Sequence, residues 1–145
     1  MIILIRNAEA VPRKGWPGED DRRPLTRRGL GQADGLLDVL ADCDVDELLS
    51  SPAVRCRATL APLATKRELR VKTSRQLREG RGEDGLDLVL DAVGDVLVCT
   101  HRDVVEDILT GLRRLGWPIP NQPHREKGST WLLSRESCAY FPPTY

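Results

Sequence analysis

Met1-Ile2-Ile3-Leu4-Ile5-Arg6-Asn7-Ala8 opens the chain and decides how it is read. Five apolar residues, three of them β-branched, run directly into an arginine. A short, unbroken apolar run of this kind reads as a strand buried on both faces. Strands buried on both faces belong to α/β sheets, whose ligands sit beyond the carboxyl ends of the strands. Arg6 and Asn7 are therefore the first candidates for a site at the sheet edge.

Outward from this strand, Val11 to Arg23 is rich in Pro, Gly and charge and reads as a long irregular loop. Thr26 caps a helix expected over Arg27–Leu40, with Leu30, Ala33, Leu36, Leu37 and Leu40 as its apolar stripe. Val45–Ser50 reads as a second strand. Ser51-Pro52 reads as a cap followed by proline at the first position of a helix that carries Arg55 and Arg57 to about Lys66. Pro62 is expected to kink or interrupt that helix. A strand over Leu69–Thr73, a charged Gly-rich loop over Leu77–Gly85 and a short helix over Leu86–Val93 come next, with Gly94 ending the helix. Leu86, Val89, Leu90 and Val93 share one face of that helix. Val96-Leu97-Val98-Cys99 is a further apolar run, ending at Thr100-His101. A helix from Asp103 then places Val104, Ile108, Leu112 and Leu115 at helical spacing, stopped by Gly116 and Pro118. After a loop over Ile119–Lys127, Thr130–Leu133 and Cys138–Phe141 read as a closing hairpin. The alternation predicts one α/β domain over residues 1–145, a three-layer α/β/α sandwich with a mixed, mainly parallel sheet.

Composition narrows the function classes. The 22 basic and 22 acidic residues cancel, which argues against nucleic acid or an anionic membrane as partner. Aromatic residues make up only 4%, too few for a base-stacking platform. No apolar run is long enough for a membrane span or a signal-peptide core, so the expected location is cytoplasmic. Cys43, Cys56, Cys99 and Cys138 are scattered and only His101 and His124 accompany them. Reduced thiols are expected, with no metal site and no cofactor.

Chemistry concentrates at the strand ends. A parallel sheet would bring Arg6 and Asn7, the Ser50-Ser51-Pro52 exit leading to Arg55, and His101 to one edge. Glu79 in the following loop offers a carboxylate. Arginine suits phosphate because its planar fork donates two parallel hydrogen bonds.

These residues resemble the histidine phosphatase superfamily, which includes the phosphoglycerate mutases. Its first strand ends Arg-His-Gly or Arg-His-Ala where this chain has Arg6-Asn7-Ala8. Its helix motif Ser-Ser-Pro-x-x-Arg-x-x-x-Thr is similar to Ser50–Thr59, and its second histidine follows a late apolar strand, as His101 does. Arg23-Pro24-Leu25-Thr26-Arg27-Arg28-Gly29 and Lys127-Gly128-Ser129 are similar as well. The short length looks most like the compact SixA-like phosphohistidine phosphatases, and also like the phosphatase domain fused to some Nudix hydrolases. The resemblance implies that Arg6 and Arg55 bind phosphate, that His101 stabilises the transferring phosphoryl group, and that Glu79 is the candidate acid. It places Asn7 at the position of the nucleophile. Resonance leaves a carboxamide nitrogen without a basic lone pair, so it forms no useful phosphoenzyme.

Three readings follow from this pattern. The chain is a phosphatase scaffold that binds a phosphate-bearing small molecule or phosphorylated protein with activity impaired or lost. Alternatively it is an active phosphohistidine or nucleotide phosphatase carrying a His-to-Asn change. The third reading is an interaction module without ligand, and Arg6, Arg55 and His101 weigh against that one.

Overall fold

The computed structural model describes residues 1–145. Six strands form one sheet: β1 (Ile2–Arg6), β2 (Glu47–Ser50), β3 (Val71–Thr73), β4 (Val96–Thr100), β5 (Thr130–Leu133) and β6 (Cys138–Phe141). Their order across the sheet is β3-β2-β4-β1-β5-β6. The first four in that order are parallel, and β5 and β6 add an antiparallel hairpin to the β1 side. The sheet is therefore mixed and mainly parallel. Four helices cover it: α1 (Arg27–Val39), α2 (Val54–Arg67), α3 (Gly82–Asp91) and α4 (Arg102–Arg114).

Alternation along the central strands sorts their side chains into two cores. Ile2 and Leu4 of β1 join Val96 and Val98 of β4 on one face, packed against Val89 of α3 and Val104, Ile108, Leu109 and Leu112 of α4. Ile3 and Ile5 join Leu97, Cys99 and Leu48 on the other, against Leu36 of α1 and Cys56, Leu60 and Leu63 of α2. Burying each such side chain is worth about 1.5–3 kcal/mol. A strand with apolar residues on both faces is stable only between two helix layers, which is why β1 sits near the centre.

Several local expectations are corrected. Leu30 is 54% exposed, because α1 turns Gly29, Gln32, Ala33 and Leu36 inward instead. A Cβ on Gly29 would collide with the Glu9 carbonyl, so α1 meets the exit of β1 backbone to backbone. α2 begins at Val54 rather than at Pro52, with Ala53 as its uncapped first flank. It also runs through Pro62 to Arg67 without interruption. Proline deprives the Ala58 carbonyl of its helical donor, but Leu60 and Leu63 on either side are locked in the core. α3 starts at Gly82, inside the stretch expected to be loop. Its glycines are packing positions: a Cβ on Gly82 would collide with Asp107, and one on Gly85 would come within 2.8 Å of Val104. Val93 lies beyond α3 and is 88% exposed, and Leu115 follows α4 at 57%. No helix is long and apolar enough to cross a membrane.

Candidate active site

Register fixes which strand ends meet. Arg6 lies opposite Thr100, and Ser50 opposite Cys99, so β1, β2 and β4 release their chains at one edge. The loop after β4 enters α4 with His101 at the N-cap position, 3% exposed. Arg55 stands in the first turn of α2, 2% exposed. Thr59, four residues on, ties the two halves together. Its hydroxyl accepts from the Ala8 N–H at 2.9 Å and donates to the Arg55 carbonyl at 2.7 Å. The Gly128 N–H reaches the Arg6 carbonyl at 3.0 Å, which carries Lys127 to the same edge. Gly128 has φ +78°, a conformation that favours glycine.

A cavity of about 190 Å³ opens here. Arg6, Asn7, Arg55, Glu79 and His101 all line it, so the structure brings the five residues singled out from sequence to one place. Six of its ten lining residues are basic: Arg6, Arg13, Arg23, Arg55, Arg102 and Lys127. A larger cavity of about 540 Å³ lies between α3 and α4, lined by Leu86, Leu90 and Leu115 among others, and shares no residue with this one. Chemistry rather than volume therefore picks out the site.

Arg55 is already engaged from within the chain. Its Nη1 donates to the Asp20 carbonyl at 2.9 Å, and its Nη2 reaches the Asp20 carboxylate at 3.2 Å and Glu79 Oε1 at 3.0 Å. Nη2 also lies 3.2 Å from His101 Nδ1. A guanidinium only donates, so Nδ1 is the acceptor and the ring proton belongs on Nε2. Nε2 then donates to the Ser51 hydroxyl at 2.8 Å. Ser51 is thus spent on orienting His101 and on the Ala53 N–H at 3.3 Å, which accounts for the late start of α2. Glu79 Oε1 lies 3.5 Å from His101 Nδ1 and also accepts from Arg13 at 3.2 Å. Arginines set between carboxylates suit an anion rather than a metal cation, and no metal-ligand cluster is assembled.

Asn7 donates from Nδ2 to the Ala8 carbonyl at 2.9 Å, while its backbone N–H bonds Thr100 at 3.0 Å. Arg6 donates to the Arg125 carbonyl at 2.8 Å, and its Nε is buried without a partner. Burial, then the charges of Arg102 and Arg125, lower the Arg6 pKa from its ordinary value. Cys56 lies behind His101, with Sγ 3.8 Å from Nε2. Burial pushes that thiol up, but contacts with Cys99 and His101 and the charge of Arg55 bring it below its ordinary value.

Sequence reasoning missed Asp20, Ser51 as a histidine partner, and the cavity cations Arg13, Arg102 and Lys127. Asp20 accepts from both Arg13 and Arg23 at 2.8 Å. Burial alone would raise its pKa, but those hydrogen bonds and the charge of Arg55 hold it below the ordinary carboxylate value. The spacing of Asp20 to Arg23, three residues within one turn, was the available signal.

A mainly parallel sheet with two arginines and a histidine converging beyond its strand ends suits an anion such as a phosphoryl group. Residues 2–86 match the histidine phosphatase superfamily (branch 1), and the chain belongs to that superfamily. It is 26% identical over 140 residues to an 8-oxo-(d)GTP phosphatase of Mycolicibacterium smegmatis. The match covers 92% of this chain and 44% of that protein, so the chain spans less than half the length of this curated relative. In fold it is similar to a crystal structure described as phosphohistidine phosphatase SixA of Agrobacterium tumefaciens, at TM-score 0.78 and 24% identity, covering 98% of this chain and 97% of the other. The protein histidine phosphatase SixA complexed with tungstate aligns at TM-score 0.69 and 18% identity, covering 99% and 95%.

Proposed function

We propose that this chain binds phosphoryl groups in the cavity at the β1 and β4 exits and that its phosphatase turnover is impaired or lost. Arg6 and Arg55 would hold the phosphoryl oxygens, and His101 would face the developing charge. Glu79 stands where an acid could serve a leaving oxygen. The observation that carries the reading is the position of Asn7. It lines the cavity beside Arg6, immediately after the strand whose family pattern places the attacking histidine there. Its amide donates to a backbone carbonyl and has no basic nitrogen to attack phosphorus. The loop from Val11 to Arg23 contributes Arg13 and Arg23 to one wall, and no inserted cap closes the rim. An exposed phosphoryl group on a small molecule or a protein fits such an opening. The phosphatases among the relatives, and tungstate as a tetrahedral oxyanion in one structural neighbour, support a phosphate-like ligand.

The test is binding and turnover measured side by side. Inorganic phosphate and vanadate should bind the protein, and Arg55→Ala should weaken both. A phosphomonoester and a phosphohistidine peptide should show little or no hydrolysis. Fast hydrolysis abolished by Arg55→Ala would mean that another group or an activated water attacks, and would overturn the impaired-activity reading.

A further inference from the structure

We infer that the cavity takes a ligand with two adjacent anionic groups, a pyrophosphate or diphosphate ester, with Arg102 and Lys127 holding the second group. The inference rests on the phosphoryl-binding reading above and narrows its ligand class.

The argument is one of charge. Three of the six basic side chains in the cavity share two carboxylates, which leaves one net positive charge among them. Arg13 pairs with Asp20 and Glu79, Arg23 with Asp20, and Arg55 with both carboxylates. Arg6, Arg102 and Lys127 face the same cavity and pair with no carboxylate. Arg6 is half-buried, its Nε has no partner, and its pKa is lowered in part by Arg102. Like charges held together in a partly dry cavity repel, and an anion between them removes that cost. Two centres of positive potential therefore adjoin, one from the residual charge around Arg55 and one at Arg6, Arg102 and Lys127. A single phosphoryl group carries about 1.5–2 negative charges and three acceptor oxygens, enough for the first centre and Arg6. Arg102 and Lys127 are left over, beside the positive N-terminal end of the 13-residue α4.

The surroundings give the second group a direction. A second opening, of about 300 Å³, shares Arg13, Glu79 and Arg102 with the cavity and adds Asp103 and Glu106. Those two carboxylates repel an anion on that path. Lys127 enters from the loop that Gly128 ties to the Arg6 carbonyl, and Glu79 is the one acid that lines the cavity. The second phosphoryl group is accordingly directed toward Lys127 and away from Asp103 and Glu106.

Calorimetric titration of the full chain with inorganic phosphate and inorganic pyrophosphate, at fixed ionic strength, tests this. Pyrophosphate should bind about tenfold or more tightly than phosphate. Arg102→Ala and Lys127→Ala should each weaken pyrophosphate by about tenfold while leaving phosphate within about twofold. Both side chains are exposed, so neither variant should fail to fold. Arg135→Ala, in the β5–β6 turn at the opposite end of the sheet, controls for net charge and should change neither ligand. Equal binding of the two anions, equal losses for both anions in the variants, or the same loss in Arg135→Ala would overturn the inference and leave phosphoryl binding standing. Failure of both anions to bind would overturn the phosphoryl-binding reading and this inference together.

Discussion

Asp20 holds Arg55 by two contacts, its backbone carbonyl accepting from Nη1 at 2.9 Å and its carboxylate from Nη2 at 3.2 Å. The arginine that would grip phosphate is thus already gripping a residue of the loop above it. A phosphoryl group reaching Arg55 must displace the Asp20 carboxylate or sit beside it against repulsion. Asp20→Asn removes the charge and leaves the backbone contact. Phosphate affinity should rise about threefold or more in that variant, measured by calorimetry. A fall in affinity would mean that Asp20 helps shape the seat instead of competing for it.

The same carboxyl predicts a pH dependence. Burial works against its ionised form, but hydrogen bonds from Arg23 and Arg13 and the charge of Arg55 win, so its folded-state pKa lies below the unfolded value. The stabilisation is therefore complete above the unfolded value of about 3.9 and disappears as pH falls through the lower folded value. The difference in urea midpoint between the protein and Asp20→Asn should be constant between about pH 7 and pH 5 and vanish in strong acid. A difference unchanged in strong acid would exclude the ion pairs as its source.

The elements that were legible are those set by local signals. β1 and β4 announced themselves as unbroken apolar runs, and the Thr26 side chain does accept from the Gly29 N–H at 3.0 Å as a cap should. The closing hairpin followed its two apolar runs. What was illegible depends on partners distant in sequence. Gly82 and Gly85 read as loop formers, yet they are glycines because α4 lies against them. Ser51 read as a cap, yet its partner is 50 residues away on His101. Asp20, Arg102 and Lys127 looked like solvated charges. Arg102 adjoins His101 and Lys127 opens the quoted Lys-Gly-Ser segment, but nothing local tells a loop cation from a ligand-facing one.

Gly82→Ala separates helix propensity from packing. Propensity alone would stabilise α3 by about 1 kcal/mol. The added methyl would meet the Asp107 side chain, so the expected result is a net loss of about 1–3 kcal/mol in chemical denaturation. A more stable variant would mean that α3 and α4 part easily.

Ser51→Ala tests how His101 is held. The hydroxyl is buried and takes the Nε2 proton at 2.8 Å. Its loss leaves a buried N–H without an acceptor, costing about 1–3 kcal/mol. Nitrogen chemical shifts of the ring should show the Nε2–H tautomer in the protein and a mixture in the variant. An unchanged tautomer in Ser51→Ala would mean that Arg55 on Nδ1 suffices.

Asn7→His addresses the chemistry directly. Arg6 and Arg55 supply positive charge and His101 a polar ring at the cavity, and such electrostatic stabilisation is a large part of phosphoryl transfer. They supply no attacking nitrogen from the β1 side. His101 enters from β4 with both ring nitrogens already engaged, Nε2 by Ser51 and Nδ1 by Arg55. Its approach to phosphorus would differ from that of a residue at position 7. Losing the covalent nucleophile of a hydrolase costs about 10⁶-fold in turnover elsewhere. Restoring one here, in a cavity whose other groups are in place, should raise phosphomonoester hydrolysis by about 10³-fold or more. Alkaline-quench gels, which preserve the acid-labile phosphoramidate bond, should show a phosphorylated protein in Asn7→His and none in the original chain. Arg55→Ala in the Asn7→His background should remove both signals. If Asn7→His stays inactive while phosphate still binds, the geometry or the acid has been lost along with the nucleophile, and Glu79 is the first place to look. Its carboxylate is shared between Arg13 and Arg55, so both oxygens are already engaged within the chain and neither is free to meet a leaving group.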